Sequence, residues 1–196
     1  MQERKAEISR VTGETNVHIS LDLDGTGKAQ IHTGIGFFDH MLNSFARHGL
    51  FDLTVDVEGD LEVDSHHTIE DTGIVLGQAI RQAVGDKKGI RRFGGCMLPM
   101  DETLMLCALD LSGRPYLKFY MPLTVPKVGD FDTEMVHEFF YAVSYGAEMN
   151  LHLKMLDGEN NHHIIEAAFK SFAKALDQAT VIDPRITDIL STKGSL

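Results

Sequence analysis

The chain has 196 residues, 43% hydrophobic and 24% charged, and its 18 basic and 29 acidic residues give a net charge of −11. This composition excludes a disordered, collagen-like or disulfide-scaffold protein. No apolar run approaches the ~20 residues that span a bilayer, and the acidic charge argues against nucleic acid as a partner. Because the N-terminus is polar, and Cys96 and Cys107 match no zinc or redox spacing, we expect a cytoplasmic protein with buried, reduced thiols.

The first half of the chain opens with a predicted strand. Apolar and polar residues alternate over residues 17–23, as in a half-buried strand. The turn residues at 24–27 predict a hairpin, with Ala29–His32 as the returning strand. Apolar residues at helical spacing follow over residues 37–45, and Gly49 stands where a helix commonly ends.

The remaining elements follow the same alternation of strands and helices. A further strand is predicted at 53–57, after which Asp64 or Ser65 can cap a helix with an apolar stripe over residues 69–84. The counterparts in the second half are a helix around 139–143, a strand at 151–153, and a helix over 165–176 that begins after Asn160 and Asn161. The pattern indicates an α+β fold whose sheets are covered by helices on one face.

Four pairs of segments recur in the same order along the chain, which indicates an internal duplication. The pairs are Glu14-Thr15 with Glu102-Thr103, LDLDG at 21–25 with LDLSG at 109–113, GFFDH at 36–40 with TEMVH at 133–137, and HHTIE at 66–70 with HHIIE at 162–166. We therefore predict two related structural repeats, residues 1–92 and residues 93–196.

The two His-His-x-x-Glu segments are the strongest chemical signal in the sequence. Each lies in the first turn of a predicted helix, where residues four apart share a face and neighbours diverge by ~100°. His66 and Glu70 should therefore converge on one point, and His162 and Glu166 on another. The second histidine of each segment must point elsewhere.

This geometry suggests that the two segments exchange their second histidines. His40 and His137, at matching repeat positions, add one further ligand each. The predicted sites are His40, His67, His162 and Glu166, and His66, Glu70, His137 and His163. Three imidazoles and one carboxylate suit Mn²⁺, Fe²⁺ or Zn²⁺ better than a soft, sulfur-preferring ion.

The segment DLDGT at 22–26 matches the nucleophile motif of aspartate-based phosphatases. In that family the motif ends a continuous apolar strand, whereas the strand here alternates. The repeat copy at 110–113 has also lost the second aspartate. A plain turn is the better interpretation.

Basic residues are few and can be considered singly. Arg92 lies at the junction of the two halves, Arg114 follows the second turn, and Lys193 lies near a glycine of the C-terminal segment. Arginine is the preferred bidentate partner of phosphate. Together with a metal site, these residues are candidates for binding an anionic substrate.

Several motifs together resemble the imidazoleglycerol-phosphate dehydratase family of histidine biosynthesis. They are GIGFFDHML at 34–42, DSHHTIEDTG at 64–73, NHHIIEA at 161–167 and STKG at 191–194. The resemblance implies duplicated βαβ-type halves of the ribosomal-protein-S5 domain 2-like class, with four-stranded sheets covered by helices. It also implies a 24-subunit homo-oligomer with two Mn²⁺ per active site, bound between subunits by the eight ligands above.

The resemblance further implies a hydro-lyase that removes water from imidazole glycerol phosphate, a small phosphorylated imidazole substrate. Glu14 is the candidate general base that takes the carbon-2 proton. The expected substrate-binding residues are Glu14, His48, Arg92, Arg114, Thr192, Lys193 and Gly194.

Two other functions stay open on the residues alone. One is a di-metal hydrolase that uses a metal-activated water. The other is a metal-storage shell protein, which would have no use for Arg92, Arg114 or Lys193.

Overall fold

The structure, a computed structural model, describes residues 3–196. The first elements are β1 (Lys5–Val11), β2 (Thr15–Asp22), β3 (Ala29–His32), α1 (Gly36–Gly49), β4 (Asp52–Gly59) and α2 (His66–Val84). They are followed by β5 (Phe93–Met100), β6 (Thr103–Asp110), β7 (Tyr116–Tyr120), β8 (Lys127–Val128), β9 (Phe131–Asp132), α3 (Met135–Gly146), β10 (Asn150–Asp157) and α4 (Asn161–Thr180). None of the helices in this part of the chain is long and apolar enough to cross a membrane.

Two four-stranded mixed sheets share one topology. Their strand orders are β1-β2-β4-β3 and β5-β6-β10-β7. In each sheet the last pair in this order is parallel and the other pairs are antiparallel. A helix, α1 or α3, connects the parallel neighbours as a βαβ crossover. The α+β fold is therefore confirmed, while the division into repeats at 1–92 and 93–196 stays a prediction.

The helices lie between the two sheets. Helix α2 packs on β1 and β2, and α4 packs on β5 and β6. Helix α2 also contacts α3 along its length, and α4 contacts α1. Each sheet is thus covered on one face by helices, and the two helix pairs, α1 with α4 and α2 with α3, bring side chains of both halves together.

The predicted hairpin between residues 17–23 and Ala29–His32 is wrong. Strand β3 pairs with β4 in parallel, and β4 separates it from β2. The turn is anchored to the start of β4 instead, because the Asp52 carboxylate accepts hydrogen bonds from the backbone N–H groups of Thr26 (2.8 Å) and Lys28 (3.0 Å). The hairpin that does form joins β1 to β2, and β1 was not predicted because it is an edge strand with only Ala6 fully buried.

Phenylalanine rings hold the helices together. Phe45 of α1 stacks on Phe172 of α4 with ring centroids 5.3 Å apart, and Phe139 of α3 stacks on Phe169 of α4 at 5.0 Å. All four rings are buried, and burying such a side chain stabilises the fold by about 1.5–3 kcal/mol. The rings fix α1 and α3 against α4.

The two cysteines lie opposite each other on β5 and β6, and both are free thiols. Cys107 is fully buried, and burial raises the pKa of its thiol. Cys96 is only partly buried. The expectation of buried, reduced thiols thus holds in full for Cys107 and only in part for Cys96.

Helices α2 and α3 approach each other backbone to backbone at Gly77 and Gly146. A Cβ at Gly77 would lie 2.6 Å from the carbonyl oxygen of Val143, and one at Gly146 would lie 2.6 Å from that of Ile74. These distances are shorter than van der Waals contact and involve backbone on both sides. Only glycine allows this crossing.

We expect Gly77→Ala to lower the free energy of unfolding. In an exposed helix the change would add up to ~1 kcal/mol of stability, but overpacking against a rigid backbone costs typically ~1–3 kcal/mol. Urea unfolding measures the difference. Gly36→Ala in α1 is the matched control, because a Cβ there meets nothing within 4 Å. Equal stability of the two variants would contradict the close crossing.

Candidate metal centre

Three potential metal ligands meet where α1 packs against α4. The Nε2 atoms of His162 and His40 lie 3.1 Å and 3.4 Å from the Oε2 atom of Glu166. Ligand atoms of the three residues all lie within 4.8 Å of one another. Within residues 3–196 this is the one group of three or more His, Cys, Asp or Glu side chains that meets this criterion.

The local sequence explains how α4 presents its two ligands. The Asn160 side chain caps the helix by accepting a hydrogen bond from the backbone N–H of His162 (2.9 Å). His162 and Glu166 are one turn apart on the same face, as the spacing predicted. The His162 ring also packs edge-on against Phe37 of α1, with centroids 5.1 Å apart.

Glu166 is an almost fully buried carboxylate, with 9% of its side chain exposed. Burial disfavours ionisation, but hydrogen bonds from Lys170, whose Nζ lies 2.7 Å from Oε1, and from His162 leave the pKa of Glu166 below its ordinary value. Lys170 was not predicted from the sequence. Its position one turn after Glu166 was the available signal.

His48 lies on the same face of α1 as His40, two turns further along. Burial and the nearby ammonium groups of Lys170 and Lys174 lower its pKa. The charges that act on His48 thus include that of Lys170, which pairs with Glu166.

The second predicted set is only partly gathered. On α2 the Nε2 atom of His66 lies 3.5 Å from the Oε2 atom of Glu70. His137 of α3 instead directs Nδ1 to Glu138 (2.9 Å) and stacks on Tyr141. The α2–α3 pair thus brings a histidine and a carboxylate together as the α1–α4 pair does. Its third predicted ligand, His137, contacts a different carboxylate.

His67 and His163 lie outside both groups and contact other carboxylates, as expected of the second histidine in each segment. His67 Nδ1 lies 3.0 Å from Asp60, and this hydrogen bond raises the pKa of His67. His163 Nδ1 lies 2.8 Å from Glu102, and this bond raises the pKa of His163. The same bond, with backbone N–H donors, lowers the pKa of Glu102 to about 2. In one chain, neither predicted four-residue set is complete within residues 3–196.

Glu14 lies at the turn between β1 and β2, beside His67. The backbone N–H groups of Glu14 and Thr15 donate to the Thr12 hydroxyl (3.1 Å and 3.0 Å) and fix the turn. The Thr15 hydroxyl donates in turn to Asp71 of α2, a buried carboxylate that also pairs with Arg10 of β1. The Glu14 side chain is 56% exposed, with Oε1 3.8 Å from His67 Nε2.

The expected anion-binding residues gather elsewhere in the chain. Arg92, Arg114, Thr192 and Lys193 line a cavity of about 710 Å³ beside the C-terminal segment. Arg185, which was not predicted from the sequence, lines it as well. None of the lining residues belongs to the histidine groups.

Two contacts organise this cavity. Arg92 forms a bidentate pair with Asp110 (2.7 Å and 3.0 Å) and donates to the Leu190 carbonyl (2.8 Å). The backbone N–H of Gly194 donates to the Ser191 carbonyl (3.1 Å), which curls the segment. One chain therefore holds the histidine groups and the cationic cavity as separate parts.

Comparison with known proteins assigns the family. A family model described as imidazoleglycerol-phosphate dehydratase matches residues 33–176. The chain is 67% identical to the imidazoleglycerol-phosphate dehydratase of Lachnoclostridium phytofermentans, covering 98% of each chain. It is 61% identical to that of Acetivibrio thermocellus, covering 99% of this chain and 100% of the relative.

Solved structures agree. The Staphylococcus aureus enzyme superposes with a TM-score of 0.83 at 41% identity, over 91% of this chain and 99% of that one. The Pyrococcus furiosus enzyme, in complex with (S)-C348, superposes with a TM-score of 0.84 at 35% identity, over 96% and 100%. Sequence and fold together show that the chain belongs to the imidazoleglycerol-phosphate dehydratase family, the hydro-lyases of histidine biosynthesis.

Proposed function

We propose that the chain removes water from imidazole glycerol phosphate to give imidazole acetol phosphate, with two Mn²⁺ per active site. The observation that carries the proposal is the convergence of His40, His162 and Glu166 at the α1–α4 contact. Two imidazoles and a carboxylate without a thiolate fit a borderline or hard divalent ion such as Mn²⁺. Bound Mn²⁺ would supply Lewis acidity toward the imidazole of the substrate.

The remaining ligands come, in this proposal, from a neighbouring copy. His67 completes the set of His40, His162 and Glu166, while His163 completes the set of His66, Glu70 and His137. Support comes from the positions of His67 and His163, whose side chains are a third or less exposed and contact carboxylates outside the metal groups of their own chain. Exchange of these histidines between copies would build the 24-subunit assembly.

Glu14 takes the proton from carbon 2 of the substrate. Loss of this proton and of the carbon-3 hydroxyl, which leaves as water, gives an enol that tautomerises to the ketone. The fixed β1–β2 turn places the exposed carboxylate beside His67, so that the base and a metal ligand reach the site together. His48 contacts the substrate from α1.

The phosphate of the substrate binds the cationic cavity. Arg92, Arg114 and Lys193 supply positive charge, and Thr192 supplies a further hydrogen-bond donor. Gly194, whose own N–H is bound to the Ser191 carbonyl, curls the segment around the phosphate. Because this cavity is separate from the histidine groups in one chain, a neighbouring copy brings it to the metal site.

The test of this function is turnover of imidazole glycerol phosphate by the purified protein. Protein freed of metal by chelation should be inactive, and Mn²⁺ should restore ketone formation better than Mg²⁺, Ca²⁺ or Zn²⁺. Inorganic phosphate is assayed in parallel, because a di-metal hydrolase would release it and a dehydratase does not. Full activity without metal, or phosphate release without ketone, would overturn the proposal.

A second prediction concerns assembly. His67→Asn should give smaller particles on size-exclusion chromatography with light scattering, since ligands shared between copies turn metal-binding free energy into association free energy. His32→Asn, at an exposed position of the edge strand β3, is the control and should keep the full mass. A His67→Asn particle of unchanged mass in the presence of chelator would contradict the linkage.

Glu14→Gln separates chemistry from binding. The amide keeps the shape of the side chain but cannot accept the proton, so kcat should fall by roughly 10²–10⁴, the usual contribution of a general base. Mn²⁺ affinity and KM should change little. Glu58→Gln, on the exposed face of β4, is the control and should leave kcat unchanged. A near-normal kcat for Glu14→Gln would remove Glu14 from the mechanism.

A further inference from the structure

The two histidines outside the ligand groups share a feature with His137, whose Nδ1 lies 2.9 Å from Glu138. They differ in it from His40, His66 and His162. Each directs Nδ1 at a carboxylate that belongs to neither predicted metal set. Asp60 lies 3.0 Å from His67 Nδ1, and Glu102 lies 2.8 Å from His163 Nδ1. By contrast, His40, His66 and His162 each approach a carboxylate of their own set through Nε2.

The ring nitrogen that is hydrogen-bonded to a carboxylate determines which other nitrogen of the histidine can bind a metal. A carboxylate accepts the Nδ1–H proton, so the other nitrogen, Nε2, carries the lone pair. Metal-bound histidines almost always have such a partner, which fixes both tautomer and ring orientation. His67 and His163 are therefore already set to present Nε2 to an ion.

We propose that Asp60 and Glu102 are positioning residues that hold His67 and His163 as Nε2 donors for the metal sites of a neighbouring copy. The inference rests on the proposed function for the existence of those sites. It assigns roles to two residues that touch neither substrate nor metal.

The duplication adds an independent argument. Glu14 and Glu102 occupy equivalent places, each directly before the second strand of its hairpin. Glu102 is fully engaged, because besides His163 it accepts the backbone N–H groups of Asn160 (2.8 Å) and Glu159 (3.3 Å). In the described part of the chain, the Glu14 carboxylate has only the 3.8 Å approach to His67.

The first half obtains its histidine partner from a different place. Asp60 follows β4 and takes the role that Glu102 has in the second half. This substitution frees Glu14. One repeat therefore keeps a carboxylate available for proton transfer, while the other uses the equivalent carboxylate to orient a ligand.

The test measures Mn²⁺ binding and not turnover. In Glu102→Gln the oxygen can still accept the backbone N–H groups, while the amide NH₂ faces His163 Nδ1 and forces the proton onto Nε2. We expect Mn²⁺ affinity at one of two site classes to fall by about 10–100-fold. Titration of the metal-free full-length protein, with free Mn²⁺ followed by electron paramagnetic resonance, reports it. Asp60→Asn should weaken the other class to a similar degree.

Asp157→Asn is the matched control, because this carboxylate at the end of β10 accepts, among residues 3–196, only the N–H of Gly158, and the change should leave both classes unchanged. Glu102 also ties down the start of α4, so the Tm of each metal-free variant is measured. If Glu102→Gln is destabilised, the Asp60→Asn variant provides the test. Among the described residues, the Asp60 carboxylate forms a hydrogen bond only with His67. Wild-type Mn²⁺ affinity in Asp60→Asn overturns the inference. Lack of dehydratase activity in the wild-type protein would instead overturn the proposed function.

Discussion

The buried negative charge of Glu166 is the constraint on which the site depends. An ionised carboxylate with so little exposure is costly unless cations or hydrogen-bond donors surround it. Lys170, His162 and His40 provide them, and the last of these comes from a different helix. The stack of Phe45 on Phe172 keeps α1 close enough for His40 to reach. The aromatic packing between α1 and α4 is thus needed to balance the charge of Glu166.

The second helix pair shows what happens when that constraint is relaxed. Glu70 has the same helical relation to His66, but its side chain is 39% exposed, and the residue one turn further on is Ile74 and not a lysine. Water can therefore solvate Glu70, and nothing requires His137 to turn toward it. This difference explains why one group of ligands is assembled in the single chain and the other is not.

Those features of the fold and of the metal site that depend on local periodicity can be predicted from the sequence. The i, i+4 pairs and the divergence of His67 and His163 follow from helix geometry. The partner of β3 could not be read, because alternation specifies a strand and not its neighbour. Nor could Glu102 be assigned, since its contact with His163 spans 61 positions of sequence. Lys170 does stand at the i, i+4 spacing from Glu166, but the burial that makes this pair important is created by the fold.

The buried link from Thr15 to Asp71 has a consequence for the proposed assembly. It joins the β1–β2 turn to α2, so Glu14 and His67 belong to one rigid body. A small sliding of one copy against its neighbour displaces both groups together and leaves their separation unchanged. The distance between the base and its metal ligand is therefore fixed within each chain. Assembly has to set only the position of this rigid body relative to the neighbouring copy.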